Sequence, residues 1–197
     1  MPLWEPNGQE RLMRAALDVF TEQGYDNTTV AEIAERAGLT KSTFFRHFRD
    51  KREVLFAAQD VLGHLFADGI AAAPASATPL ETVALALAAA AVAFPPGQRD
   101  LAPQRRAVIA ANPELQEREA LKRSGFAAVM TKGLQARGVK DPAANLAAEL
   151  GVLAFKRAHA SWADPTNKQP FDELARQSLL ELHAASATLS PDAPLSS

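Results

Sequence analysis

TTVAEIAERAGLTKSTFFRHFRDKREV, residues 28–54, holds two short helical patterns joined by a tight turn. Val30, Ile33, Ala34 and Ala37 recur at i, i+3, i+4 and i+7, which puts them on one face of a helix and requires that face to be buried. Thr29, with Glu32 three residues later, has the spacing of a capping box, in which hydroxyl and carboxylate reciprocally satisfy the first N–H groups. Gly38 follows Ala37, where a residue that takes positive φ at least cost ends a helix and turns the chain. Leu39 plugs the corner and Thr40 caps a second helix, whose Phe44 and Phe48, four apart, share the buried side. The spacing predicts a helix-turn-helix hairpin that shows Ser42, Thr43 and Arg46 outward, with Lys41, Phe45 and His47 on its flanks.

Between Arg36 and Arg52 stand six basic residues, Arg36, Lys41, Arg46, Arg49, Lys51 and Arg52, against one acid, Asp50. In a chain of net charge −2, such a local excess has the form of a phosphate-binding footprint. An ordinary helical hairpin with a solvated basic face has the same pattern. A pI near 6.1 is low for a nucleic-acid protein, but the N-terminal acids Glu5, Glu10, Asp18, Glu22 and Asp26 lie mostly in or before the first helix, away from the basic half.

The surrounding chain reads as helices throughout. Leu12, Ala16, Val19 and Phe20 give one face to a first helix, Gln9–Gln23, stopped by Gly24. Asp50 and Glu53 open a fourth helix whose apolar seam runs from Val54 to Phe66. Thr78, Pro79 and Glu81 start a fifth, extending to Phe94 before PPG at 95–97. A short sixth passes through Arg105 and Ile109. Asn112 and Pro113 start a seventh, reaching about Arg137; Glu114 with Arg118 and Glu119 with Arg123 give its first half i, i+4 pairs and a solvated character. Asp141 and Pro142 introduce an eighth to about Trp162, and Pro170 a ninth. No β pattern of weight occurs, so the fold class is all-α with about nine helices. The expected division is 1–52 as the helix-turn-helix domain, 53–189 as a helical effector-binding and dimerisation domain, and 190–197 as a disordered tail. Trp4 reads as part of an arm ahead of the first helix.

The 197 residues include no cysteine, which rules out disulfides, thiolate metal sites and a cysteine nucleophile. No G-x-S-x-G, G-x-G-x-x-G, P-loop or H-E-x-x-H motif is present, and the four histidines are scattered. No enzyme, metal or cofactor is therefore expected. His64 and His183 read as packing or surface residues. No basic leader and no run of about 18 apolar residues point to export or a membrane span, so a cytoplasmic, nucleoid-associated protein is expected.

From the first helix through Val54 the chain resembles the DNA-binding domain of the TetR family of transcriptional regulators, whose motif runs TTV-x-x-IA-x-x-AG, a small turn, K-x-T-aromatic-aromatic-x-HF and a Lys-rich start to the next helix. The resemblance implies a homodimer, joined through the last two long helices, on an inverted-repeat operator. It would act as a repressor. Base readout would fall to Lys41, Ser42 and Thr43, with Thr28, Arg46, His47 and Lys51 on phosphates and Thr29 at the same surface. Phe45 stands where the family most often has tyrosine; contact with sugar or a thymine methyl and a place at the core edge are both open.

The block RRAVIAANPELQERE, 105–119, with the Ala-rich helix before it and AAELGVLAFKRAHASW after it, is similar to the ligand-binding half of a TetR subgroup responding to acyl-CoA-like molecules, the mycofactocin-associated regulator among them. A small apolar or acyl-CoA-like effector is implied. Phe66, Phe94, Phe126, Met130, Phe155 and Trp162 could line its pocket, with Arg106 or His159 for an anionic head group. Abundant alanine fits such a cavity and close helix packing equally. The fourth helix, running from the reader into the next domain, would transmit effector binding. The alternative function is a regulator or structural DNA-binding protein without a ligand.

Overall fold

The structure is a computed structural model that describes residues 8–189; Trp4 and the tail from Ser190 lie outside the described residues. These form nine α-helices and no strand: α1 Gly8–Gln23, α2 Val30–Arg36, α3 Lys41–His47, α4 Glu53–Ala71, α5 Pro79–Ala89, α6 Leu101–Ala110, α7 Pro113–Ala136, α8 Ala143–Trp162 and α9 Phe171–Ala187. The all-α expectation holds. α5 ends before Phe94: the chain tightens into a 3-10 turn at Ala90–Ala93, and Phe94 leaves helical geometry at φ −125° and ψ 59°. The Pro95 that follows disfavours the helical region for its predecessor.

The boundaries rest on local chemistry. Thr29 and Thr78 each complete a capping box, with Glu32 and Glu81. Two helices end in the same motif. At α2, the Leu39 N–H donates to Ala34 O at 2.8 Å and the Gly38 N–H to Glu35 O at 2.9 Å; at α7, Val139 and Gly138 repeat this onto Leu134 and Gln135. The pattern needs a left-handed residue just past the end, supplied by Gly38 at φ 65° and Gly138 at φ 88°.

The chain divides into two compact units, residues up to Leu62 with Gly97–Lys122, and Gly63–Pro96 with the chain from Arg123. The first unit thus takes in α6 and the start of α7 beside α1–α3, more than the expected 1–52. The cause is apolar: Leu101, Val108, Ile109 and Leu115 are buried in one cluster with Leu12, Phe20, Ile33, Phe44, Phe48 and Phe56. Ion pairs follow the same seam. Arg14 bonds Asp100 at 2.9 Å, Arg52 bonds Glu114 at 2.8 Å and Arg118 bonds Glu53 at 3.1 Å. Around the Phe56 ring lie the guanidinium carbons of Arg105 and Arg118, each 5.6 Å from its centroid, and Lys122 Nζ at 5.9 Å. The start of α7, expected to be solvated, is mostly exposed, and it is also tied to α4 through Arg118.

In the second unit small residues set helix spacing. A Cβ on Gly69 would come 2.7 Å from Ala86 Cα, and one on Gly151 would come 2.6 Å from Val83 Cγ1 and 3.0 Å from Met130 Sδ. Ala86, Ala90, Ala144, Ala148, Ala154 and Ala158 are fully buried, so alanine here serves close helix packing. α4 is long and apolar enough to cross a membrane by length and composition, although Asp60 and Asp68 interrupt its sequence. Its Val54, Leu55, Phe56, Leu62, Phe66 and Ile70 are buried within the protein.

Candidate nucleic-acid interface

α3 is short, and its two buried rings decide what it exposes. Phe44 and Phe48 are 0% and 3% exposed and pack on each other at 5.6 Å between centroids. Four-residue spacing then turns Lys41, Ser42, Phe45 and Arg46 to the exposed side, with Thr43 and His47 half-exposed beside them. Thr40 caps the helix: its Oγ1 accepts from the Thr43 N–H at 3.1 Å and lies 2.9 Å from Thr43 Oγ1. Thr43 therefore faces its own cap as well as solvent. Phe45, 49% exposed, stands on the outward face with Lys41 Nζ 5.9 Å from its ring centroid.

The six cations of the hairpin have different fates. Arg36 donates from Nη1 to Glu22 Oε1 at 2.8 Å and from Nη2 to Glu22 Oε2; these bonds hold the Glu22 carboxyl below the ordinary glutamate range. Arg52 binds Asp50 at 3.1 Å as well as Glu114. Lys51 Nζ donates to three carbonyl oxygens, Tyr25 at 2.6 Å, Asp26 at 3.2 Å and Thr28 at 3.0 Å, and lies 4.4 Å from the Tyr25 ring centroid. Lys41, Arg46 and Arg49 are exposed. The expected footprint of six thus contracts to three outward cations, and Arg49, which was not among the expected contact residues, is one of them.

The loop before α2 also differs from the expectation of a phosphate contact at Thr28. That residue is 2% exposed and its hydroxyl donates to Gly24 O at 2.8 Å. Thr29 is exposed but committed to the cap, accepting from the Glu32 N–H while its Oγ1 donates to Glu32 Oε2 at 2.8 Å. Burial pushes the hydroxyl of Tyr25 up to about 12. His47 lies against the start of α1, where a Cβ on Gly8 would meet its Nε2 at 3.3 Å. Arg11 was not legible as a site residue; its Nη2 donates to Ala37 O at 2.6 Å and so binds α1 to the carbonyl end of α2, where positive charge is favoured.

Seven of the eight residues expected around an effector lie in the second unit, and six of them, all but Met130, form an aromatic cluster there. Phe66 meets Phe126 at 5.2 Å and Phe155 at 5.6 Å. Phe94 lies 5.8 Å from Phe155, 5.6 Å from His159 and 5.4 Å from Trp162, and it stacks on Phe171 at 4.0 Å and 14°. Met130 is fully buried. The eighth, Arg106, is exposed on α6 in the first unit. The second unit carries open grooves, one of about 570 Å³ beside Glu81, Leu85 and Asp172 and another of about 410 Å³ beside Ala127, Leu146 and Leu153, and none of the eight lines these two. Among the described residues no group of three His, Asp or Glu side chains could hold a metal ion.

Comparison with known proteins gives the site a context. Residues 12–58 match the family model for bacterial regulatory proteins of the tetR family. The HTH-type transcriptional regulator TcmR of Streptomyces glaucescens is 37% identical over 75 residues, 38% of this chain and 33% of its own length. The match therefore spans about a third of that relative. Among solved structures, FadR of Thermus thermophilus, described as a TetR-family transcriptional repressor in complex with lauroyl-CoA, aligns at TM-score 0.53 and 23% identity over 96% of this chain and 99% of its own. FadR of Bacillus subtilis in complex with stearoyl-CoA aligns at 0.56 and 23% over 88% and 96%. These likenesses extend the shared fold over nearly the whole chain.

Proposed function

From the premise that this chain carries the DNA-binding domain of a tetR-family transcriptional regulator, we propose that it binds an inverted-repeat operator as a homodimer, in the cytoplasm, and represses transcription until an effector releases it. The observation that carries this reading is the outward face of α3, with Lys41, Ser42, Phe45 and Arg46 exposed above a rigid Phe44–Phe48 floor. A short helix of this kind fits the major groove, with small side chains near its N-terminus allowing close approach to base edges. Lys41, Ser42 and Thr43 read bases; Arg46, Arg49 and His47 lie on phosphates. Dimerisation through α8 and α9 is supported by Leu146, Leu153 and Leu180, which are 60%, 43% and 55% exposed.

An acyl-CoA-like effector is supported by the ligands of the two FadR proteins that share the fold. A regulator without an effector is the second reading. The close packing of Phe94 on Phe171 and of Gly151 on Val83 and Met130 favours it. Selection of bound genomic fragments tests the DNA reading: half-sites with centres about 34 Å apart, or somewhat more, are expected, and no enrichment over random fragments would overturn it. Lys41→Ala is expected to weaken operator binding more than random-DNA binding; equal losses would make Lys41 a phosphate contact only. Titrating the operator complex with lauroyl-CoA, and then with a metabolite extract, separates the two effector readings.

A further inference from the structure

In the first unit, α4, α6 and the start of α7 meet around one ring. Phe56 is fully buried, and three cations converge on it, the guanidinium carbons of Arg105 and Arg118 at 5.6 Å from its centroid and Lys122 Nζ at 5.9 Å. Glu119 bonds Arg105 at 3.4 Å and Glu53 bonds Arg118 at 3.1 Å, so the ring gathers three positive charges against the two carboxylates bonded to them. Like charges drawn together beside an apolar ring repel strongly at low effective dielectric, and attraction to the ring face offsets only part of that repulsion. An oxyanion placed among them removes it.

The cations differ in what they already hold. Arg105 is committed within the protein, its Nε donating to Leu55 O at 2.6 Å and its Nη1 to Glu119. Arg118 donates from Nη2 to Glu53 Oε1 at 3.1 Å, but its buried Nε–H has no acceptor. One turn along α4 from Phe56, Gln59 Oε1 is buried without a donor. A polar atom that loses its hydration and gains no partner is destabilising. Here the two kinds are complementary, a donor on a cation and a neutral acceptor, and they do not bond each other. Both residues are only half-buried, so neither is sealed from a ligand.

We propose that Arg118, Lys122 and Gln59 form a ligand site in this unit: the two cations take an oxyanion, and Gln59 accepts from an N–H or O–H of the same molecule. Arg105 and Phe56 form its wall. The ligand class that satisfies both is a phosphate ester bearing amide or hydroxyl donors. Coenzyme A has that pairing, whereas a fatty acid at neutral pH offers an oxyanion with no donor. The site deepens the effector reading above, and its regulatory consequence rests on that reading.

Binding is measured by calorimetric titration of the full-length protein without DNA, with coenzyme A, laurate and inorganic phosphate as probes. Wild type, Arg118→Gln, Gln59→Leu and Lys132→Gln are compared, with folded fractions matched by circular dichroism; Lys132 is exposed elsewhere on α7. Coenzyme A is expected to bind wild type more tightly than laurate or phosphate does. Arg118→Gln and Gln59→Leu each lower its affinity about tenfold, and Lys132→Gln, which removes the same charge, leaves it unchanged. The proposal is overturned if coenzyme A does not bind wild type, if laurate or inorganic phosphate binds as tightly, if folded Arg118→Gln or Gln59→Leu binds as wild type does, or if Lys132→Gln loses as much. Should Arg118→Gln fail to fold once Glu53 loses its partner, Lys122→Gln replaces it with the same expected loss. Adding coenzyme A to the operator complex is a separate readout. Binding that depends on Arg118 but releases no DNA would reject the effector reading and uphold the site.

Discussion

Arg36 and Arg46 stand ten positions apart on the same hairpin, carry the same charge and face different partners. Arg36 spends both ends of its fork on Glu22, whereas Arg46 is exposed on the outward face of α3. Replacing a cation already neutralised by an exposed carboxylate releases few counterions from DNA, and exposed pairs of this kind contribute little to stability. Arg36→Ala is therefore expected to leave the salt dependence of operator binding unchanged, while Arg46→Ala flattens it; equal flattening by both would show that the Glu22 pair opens on DNA. Charge counting along the sequence cannot make this distinction. Glu22 lies on α1 and Arg36 on α2, and only the packed hairpin brings them together.

The helices show which features were legible locally. Capping boxes, the glycines that end α2 and α7, and the i, i+3, i+4 faces involve neighbours within one or two turns, so the sequence states them directly. Bonds such as Arg11 to Ala37, Lys51 to Tyr25 and Arg118 to Glu53 join residues brought close only by the fold, and they had no local signal. The outward face of α3 followed from the Phe44–Phe48 spacing, whereas the inward commitments of Thr28 and Lys51 did not.

At α4 the cap also has a pH signature. Burial raises the Asp50 carboxyl, but hydrogen bonds from the Glu53 and Arg52 N–H groups and the Arg52 guanidinium outweigh it, leaving it below its ordinary 3.8. A carboxyl lowered in the folded state stabilises fully above its unfolded value and loses that contribution as pH falls through the folded value. Asp50→Asn keeps an oxygen acceptor and drops the charge. It should be less stable than wild type by up to about 1 kcal/mol above pH 5, with the gap closing below pH 3.8. Urea unfolding midpoints at pH 6 and pH 3 check this; a gap that widened in acid would contradict it.

Across the whole molecule, the helix-turn-helix hairpin with α1 is not a free-standing trio of helices. Ile109 of α6 is 3% exposed in the same cluster as Leu12 and Phe44, and α6 packs on α1. Ile109→Ala should destabilise this unit by about 2–5 kcal/mol and lower operator binding, although it removes no atom of the reading face. Hydrogen exchange in α1–α3 would rise with it. Protection of α1–α3 at wild-type levels would mean that α6 is dispensable to the reader. The expected boundary at residue 52 followed the helix-turn-helix pattern, which ends there; the apolar side chains that complete its core arrive some fifty residues later.

The internal neutralisation of Arg36 and Arg52, with Lys51 turned onto carbonyls, also bears on how a target would be found. A surface left with Lys41, Arg46 and Arg49 as its outward cations casts a weak long-range field, so diffusional encounter with DNA is only modestly accelerated. Its hold on arbitrary sequence is correspondingly brief, since that hold comes from phosphate neutralisation. On the proposed function, such a protein would scan by frequent short visits, with its residence time concentrated at sites where the bases beneath α3 add their own contacts.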